Sequence, residues 1–292
     1  MRTIKRLFIK NSAGIISGFI LLVYTLVALL APLLAPPLPG RSPYEIPRDG
    51  FDIRPKPPNS KHWFGTTEGQ YDIFYGVIWG SRTAFKIALV VVTFGFLLGS
   101  SIGAISGYFG GVVDIVVMRV TDIFLAFPFL LAAMVLATVL GKGLSSIIIA
   151  LVVFRWMTYA RLVRSEVLRL KEINFVEAAR AIGASHTRIL FRHITPNAVF
   201  PSLIQASMDI GQVVMSASAL SFLGLGLEAG YADWGQLISL ARNWVLGGVR
   251  GAFEYWYTLV FPGGALFLFV LSWNILGDAL RDMFDPRMRG VL

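Results

Sequence analysis

The sequence predicts an all-α, polytopic membrane protein with six transmembrane helices. Hydrophobic residues make up 55% of its 292 residues and charged residues only 15%, and apolar runs recur along the whole length. A helix needs about 18 or more mostly apolar residues to cross a hydrocarbon core of roughly 30 Å. Because backbone polar groups find no water there, helix is the expected state of every span. The predicted spans are about 13–34, 84–107, 116–140, 144–162, 197–225 and 256–278.

Basic residues beside the spans indicate the orientation of the chain. Four precede the first span: Arg2, Lys5, Arg6 and Lys10. A second group follows the fourth span: Arg161, Arg164, Arg169, Lys171, Arg180, Arg188 and Arg192. With six spans both groups fall on one side, which the positive-inside rule makes cytoplasmic. The predicted division is a cytoplasmic N-terminus over 1–12, a first span over 13–34, an extracytoplasmic segment over 35–83, a membrane domain over 84–278 and a cytoplasmic tail over 279–292.

Composition also excludes several classes of function. The formal net charge is +9, but the basic residues lie beside the spans and form no single soluble patch, so no nucleic-acid partner is expected. The absence of cysteine excludes disulfides, thiolate metal sites and a cysteine nucleophile. A basic start before an apolar run also resembles a secretory signal peptide, but the run is long and further spans follow, so we expect a retained first span.

Two extracytoplasmic segments are candidate surfaces for a receptor. Residues 36–63 are rich in proline, glycine and charge, so an extended conformation is expected there. Trp63 and Trp79 fit an aromatic belt at the membrane surface. The second segment, about 227–255, holds several aromatic and acidic residues: Trp234, Trp244, Glu228, Asp233 and Glu254.

A short polar helix is predicted within the basic segment of about 172–195, where Glu177 is followed by Ala178 and Ala179. Small alanines allow a helix to press closely into the cleft of a partner. Glu177 has two possible roles at such a helix start, to meet partner cations or to accept from free backbone donors. The segment is therefore a candidate docking surface.

The residues after this helix predict a turn and a second helix. Gly183 is suited to a helix stop, where φ becomes positive. Ser185 is a candidate cap for the next helix, on which Arg188 and Arg192 are four residues apart and share a face. Pro196 is expected to begin the fifth span.

Glu-Ala-Ala, a glycine four residues later and a proline thirteen residues after that glycine together resemble the cytoplasmic coupling motif of ABC importer permeases. An ordinary amphipathic loop is the alternative for so short a match. Further motifs occur in an order that resembles the second permease of dipeptide, oligopeptide and nickel ABC importers: His62-Trp63-Phe64-Gly65-Thr66 with Asp72, Asp122 to Pro128, Leu220 to Gly226 with Trp234-Gly235, Asn274 to Asp278, and Asp285-Pro286-Arg287. The chain departs from that pattern at Gln70-Tyr71 and at Thr195.

This resemblance implies an ABC importer permease fold in the cell inner membrane, surrounded by lipid, with cytoplasmic N- and C-termini. It implies four protein partners, namely a homologous second permease, two ATPase subunits and an extracytoplasmic solute-binding protein. Peptides are the expected cargo, with nickel chelates or oligosaccharides as the alternative. ATP and Mg would be bound by the ATPases, so no cofactor is expected in this chain. The implied ATPase-coupling residues are Glu177, Ala178, Ala179, Gly183, Arg188 and Pro196.

The fifth span carries a polar stripe. Its members recur at spacings of four, three and four: Gln205, Asp209, Gln212 and Ser216. Such a stripe lines either a translocation path or a hydrogen-bonded helix interface. Nearby small residues also favour close packing, so both interpretations stay open. Asp122 in the third span is expected to pair with Arg119 or with a neighbouring helix, since an ionised group at membrane depth costs about 2.5–3.5 kcal/mol.

No catalytic or metal site is predicted. His62, His186 and His193 are widely dispersed, and Gly141-Lys142 lacks the flanking residues of a phosphate-binding loop. A membrane-embedded enzyme would need a cluster of His, Glu and Asp at one depth. A simple channel would not need the Glu-Ala-Ala helix, and co-purification with an ATPase would distinguish it from a transport subunit.

Overall fold

The computed structural model describes residues 12–245 and 253–284 of the protein. Within these ranges the chain is mostly helical and forms isolated β-bridges in place of strands. The helices are α1 (Ser12–Leu34), α2 (Ile73–Phe109), α3 (Gly111–Leu125), α4 (Phe129–Leu140), α5 (Leu144–Leu170), α6 (Asn174–Ala181), α7 (His186–Arg188), α8 (Thr195–Ala198), α9 (Phe200–Phe222), α10 (Trp234–Ala241) and α11 (Tyr257–Phe284). A π-helical segment, Ile189–Ile194, joins α7 to α8. The predicted cytoplasmic residues Arg2 to Lys10 and Asp285 to Arg287 lie outside the described ranges.

Four of these helices, α1, α2, α5 and α11, are long and apolar enough to cross a membrane. The predicted third span is not one straight helix, because α3 and α4 meet at a bend of 88°. Pro128 lies at that break as the residue before α4. Proline has no N–H to donate and restricts the residue before it, which explains why the apolar run continues while the helix does not.

The prediction of six spans exceeds what the described helices support by length and apolarity, which is four, or five if the bent pair is counted as one. The fifth predicted span corresponds to α9, which has 23 residues. Its polar stripe and its serines lower its apolarity below that of the other long helices. The same residues that made α9 a functional candidate therefore exclude it from the helices that are apolar enough to be counted as membrane spans.

Several helices extend beyond the predicted spans. α2 begins at Ile73, not at residue 84, because Asp72 caps it by accepting from the Tyr75 N–H at 2.8 Å. The predicted extracytoplasmic segment, 35–83, therefore overlaps its first turns. α5 continues to Leu170, past the predicted end at 162. Charged residues do not interrupt a helix, so hydropathy marks where a span leaves the apolar region and not where its helix ends.

The core of the bundle is the parallel packing of α2 against α5. Glycines at four-residue spacing on α2 face α5, and a Cβ added to Gly99 or Gly103 would lie 2.2 Å from the carbonyl oxygen of Trp156 or Ala160. Only glycine permits so close a backbone approach, which is typical of small-residue packing between membrane helices.

The helices define two ends of the molecule. α2 and α5 both run toward the end that carries residues 171–198, which we call the basic end. Residues 36–72 and 223–245 lie at the opposite end, which we call the loop end. There the two loops are joined by backbone hydrogen bonds from Ile46 N–H to Gly230 O at 2.8 Å and from Ala232 N–H to Tyr44 O at 2.7 Å.

Burial corrects the assignment of two tryptophans at the loop end. Trp79 is 2% exposed and donates to Ala35 O at 2.9 Å, so it belongs to the core and not to an aromatic belt. Trp234 is equally buried and donates to Val77 O, which removes it from the proposed receptor surface. Asp233 is buried too, and loss of solvent raises the pKa of its carboxyl to about 6. Trp63 remains 65% exposed.

Candidate functional site

The Glu-Ala-Ala helix is α6, and it is anchored to the end of α5. Val176 and Ala179 point into an apolar cluster that includes Val163 and Val167 of α5 and Ile189 of the π-helical segment. This packing holds α6 at the basic end without using its polar residues. We call residues 172–196 the coupling segment.

The outer face of α6 carries residues that are exposed in the described part of the chain. Glu177, Ala178 and Arg180 are exposed, whereas Ala179 is buried in the apolar cluster. Within the described ranges no side chain pairs with the Glu177 carboxylate. It lies in the first turn of α6, whose N-cap residue is Ile173. Its two predicted roles, to meet a partner cation or to accept from backbone donors, stay predictions. Of the two alanines, Ala178 is thus available to a partner on the outer face, whereas Ala179 anchors the helix.

The turn after α6 has the geometry that its sequence predicts. Gly183 has a φ of +79°, a conformation that residues with a Cβ rarely adopt. Ser185 caps α7 by accepting from the Arg188 N–H at 3.4 Å. The chain therefore turns at Gly183 between two short helices that both lie at the basic end.

The second helix of the coupling segment departs from the regular α-helix assumed for it. A π-helical segment, Ile189–Ile194, follows α7 directly. Its wider turn, with i to i+5 hydrogen bonding, removes the four-residue stacking expected for Arg188 and Arg192. Both side chains remain exposed. Pro196 lies in the first turn of α8, so it begins the approach to α9 and not α9 itself.

One histidine connects the coupling segment to the core. His186 Nδ1 lies 2.8 Å from the Tyr108 hydroxyl near the end of α2. The predicted separation of the histidines holds, because His186 and His193 are at the basic end and His62 is at the loop end. No group of three or more His, Cys, Asp or Glu suited to a metal ion occurs among residues 12–245 and 253–284.

His62 joins two carboxylates at the loop end. Its Nδ1 lies 2.6 Å from Asp72, the cap of α2, and its Nε2 lies 3.3 Å from Asp49. Hydrogen bonds from Lys61 and His62 hold the pKa of the Asp49 carboxyl below its usual range. These contacts fix the loop to the start of α2.

A second candidate site surrounds Asp209 within the membrane region. Asp209 is 2% exposed, accepts from the Tyr159 hydroxyl at 2.7 Å and from Gln205 Nε2 at 2.9 Å, and forms an ion pair with Arg155. We call these four residues the Asp209 cluster. It joins α9 to α5 and gives a buried charge the partners that it needs. The sequence analysis missed Arg155 and Tyr159, although an arginine inside the fourth apolar run is itself a sign of a buried partner.

The polar stripe of α9 is divided between two environments. Gln205 and Asp209 face α5 in the Asp209 cluster. Gln212 is exposed and Ser216 is half-buried, with the Ser216 hydroxyl donating to the Gln212 carbonyl oxygen at 2.8 Å. The two open interpretations of the stripe, an interface and a path, therefore have different residues in their favour.

Asp122 pairs with a neighbouring helix and not with Arg119, the other partner expected for it. Its carboxylate lies 2.5 Å from Arg161 of α5, and Asp114 of α3 pairs with Arg164 at 2.5 Å. These two ion pairs attach α3 to α5 one turn before and after the middle of α3.

The amino-acid sequence resembles two known protein families and several characterised permeases. The family described as "Binding-protein-dependent transport system inner membrane component" matches residues 99–290, and the "N-terminal TM domain of oligopeptide transport permease C" matches residues 1–58. The dipeptide transport system permease protein DppC of Alkalihalophilus pseudofirmus is 36% identical over 96% of this chain and 88% of its own length. The oligopeptide transport system permease protein OppC of Bacillus subtilis is 35% identical over 97% of this chain and 88% of its own length.

Solved structures resemble the fold. The inward-facing MetNI methionine ABC transporter matches with a TM-score of 0.53 at 19% identity, over 75% of this chain and 98% of the matched chain. An amino acid ABC transporter matches with a TM-score of 0.51 at 18% identity, over 70% of this chain and 92% of the matched chain. The family predicted from the motifs is confirmed. The chain belongs to the inner-membrane components of binding-protein-dependent transport systems and, within them, to the permease proteins that include those of dipeptide and oligopeptide transport.

Proposed function

We propose that this chain is one of two permeases that form the translocation path of an ATP-driven peptide importer. A homologous permease would complete the path, two ATPase subunits would bind and hydrolyse ATP at the basic end, and a solute-binding protein would deliver cargo at the loop end. The observation that carries this proposal is the coupling segment, which presents Glu177 and the Gly183 turn outward while its apolar side is anchored to α5.

In this mechanism the chain transmits motion and carries out no reaction. ATP-driven closure of the ATPases would displace α6, and the displacement would reach the membrane helices through the packing of Val176 and Ala179. The two permeases would then switch from an inward-open to an outward-open state. Such a switch is a two-state equilibrium that ligand binding biases and hydrolysis resets.

The path itself is proposed along α9. Gln212 and Ser216 are its candidate lining residues, since Gln212 is exposed and Ser216 half-buried, while Gln205 and Asp209 would hold α9 to α5 beside it. We count α9 as a sixth span, together with the bent pair α3 and α4, because its 23 residues pack against the long helices α2, α5 and α11. In this arrangement the side of α9 that carries Gln212 and Ser216 would face the path and the second permease.

Peptide cargo is proposed from the relatives, whose names concern dipeptides, oligopeptides and glutathione. We expect proteoliposomes containing this chain and the products of its neighbouring transporter genes to take up a labelled dipeptide when ATP is supplied. Omitting this chain should abolish uptake. Excess nickel chelate or oligosaccharide should not compete, and uptake of either in place of the dipeptide would refute the assignment of cargo.

The orientation, with both termini and the coupling segment in the cytoplasm, is tested by cysteine labelling. Ser42 at the loop end and Ser185 at the basic end are both exposed, and the chain has no cysteine of its own. We expect Ser42→Cys to react with an impermeant thiol reagent in intact cells and Ser185→Cys only after permeabilisation. The reverse pattern would overturn the orientation and the coupling role with it.

A further inference from the structure

A cavity of about 600 Å³ opens at the basic end, between the end of α5 and the start of α9. Its volume is within the roughly 300–1,000 Å³ of ordinary small-molecule sites. The cavity touches Phe175 of α6 but none of the predicted coupling residues of that helix. Pro196, a predicted coupling residue, also lines the cavity, but Glu177 does not, so the cavity lies beside the outer face of α6 and not on it.

The lining of this cavity combines positive charge with apolar surface. Arg169, Arg192 and His193 contribute basic groups, Asn197 contributes an amide, and Phe175 and Phe200 contribute rings. None of the described residues that line it is acidic. Arg192 has no ion-pair or hydrogen-bond partner in the described ranges, whereas Arg169 is paired with Glu166 at 2.8 Å. The unneutralised charge of the cavity is therefore centred on Arg192.

The position of the cavity along the bundle favours a lipid over a protein ligand. Phe200, the first residue of α9, lines it near the predicted start of the fifth span at residue 197, whereas Leu170 lines it eight residues beyond the predicted end of the fourth span. The cavity therefore extends from the edge of the apolar region toward the aqueous side. The phosphate headgroups of lipids occupy that level of a bilayer. Basic pockets between membrane helices at this level suit anionic headgroups.

The geometry of α6 separates this cavity from an ATPase contact. Phe175 and Glu177 are two residues apart, which places them about 200° apart around a helix. An ATPase docked on the Glu177 side would therefore leave the Phe175 side uncovered. We propose that the cavity binds the phosphate headgroup of an anionic phospholipid, with Arg192 as its main cationic contact.

The test uses the assembled transporter in phosphatidylcholine nanodiscs that contain spin-labelled phosphatidylglycerol. We expect a motionally restricted lipid population, and Arg192→Gln should weaken its binding about fivefold. Arg169→Gln should have a smaller effect because Glu166 already offsets that charge. Arg180→Gln is the matched control, since Arg180 is exposed at the same end but outside the cavity, and it should leave binding unchanged.

Four outcomes would overturn the proposal. Equal losses in Arg192→Gln and Arg180→Gln would show unspecific attraction to the basic end, and no loss in either would show that the cavity binds no anionic lipid. Displacement of the labelled lipid by millimolar inorganic phosphate would identify free phosphate as the ligand. Restricted lipid that is seen with the permease pair alone but not with the assembled transporter would show that a protein covers the cavity.

Discussion

Replacing Glu177 by lysine is expected to lower cargo uptake by more than about tenfold while the protein still inserts and folds. Within the described ranges the Glu177 side chain pairs with nothing, so the change removes no internal contact. A lysine facing partner cations places like charges together, which costs several kcal/mol at an interface. Uptake and cargo-stimulated ATPase activity in proteoliposomes measure the effect.

The control for this change is Glu172→Lys. Glu172 is also exposed at the basic end and without a partner in the described ranges, but it precedes α6. It should retain uptake. If Glu177→Lys transports normally, or if both variants fail alike, the coupling role of Glu177 is refuted.

Gly183 gives an independent test of the same segment. Gly183→Val should abolish uptake because a β-branched residue is strained at a φ of +79°, even though a Cβ would meet no atom within 4 Å. Gly183→Asn should retain most activity, since asparagine tolerates this conformation. A functional valine variant would show that the turn is not needed.

Removing Arg155 is expected to destabilise the folded chain by about 3–5 kcal/mol. Arg155→Met would leave the Asp209 carboxylate buried with only the neutral donors of Tyr159 and Gln205. A buried charge without its counter-ion is one of the most costly single changes in a protein. Unfolding in mixed micelles, followed by tryptophan fluorescence, measures the loss.

The double variant Arg155→Met with Asp209→Asn isolates the charge. Asparagine keeps an acceptor for the Tyr159 hydroxyl and removes the orphaned carboxylate, so most of the lost stability should return. If the double variant is as unstable as Arg155→Met alone, packing of the arginine side chain matters more than its charge, and the role assigned to the ion pair is wrong.

The sequence predicted best what depends on local composition. Apolar runs identified α1, α5 and α11, and the glycine and serine of the coupling segment predicted the Gly183 turn and the Ser185 cap. These features follow from the preferences of a few neighbouring residues. The coupling and path roles of the named residues remain predictions.

The features that were missed depend on distant parts of the chain. Hydropathy cannot distinguish a straight span from the 88° bend at Pro128, because both are apolar. Trp79 is of a residue type common at the membrane surface and is nevertheless buried against the end of α1, where it donates to Ala35 O. Arg155 and Asp209 become partners only when α5 and α9 are placed side by side.

The length of α2 has a mechanical consequence. Its 37 residues extend about 55 Å, well beyond the roughly 30 Å apolar layer. Near one end Tyr108 holds His186, at the other Asp72 holds His62, and in between Gly99 and Gly103 press the backbone onto α5. Because α2 and α5 are in backbone contact, we expect neither to slide or bend without the other, so that α2 moves as one rigid element. If the coupling segment is displaced as proposed, we expect the displacement at His186 to be carried along α2 to the loop end by the helix itself.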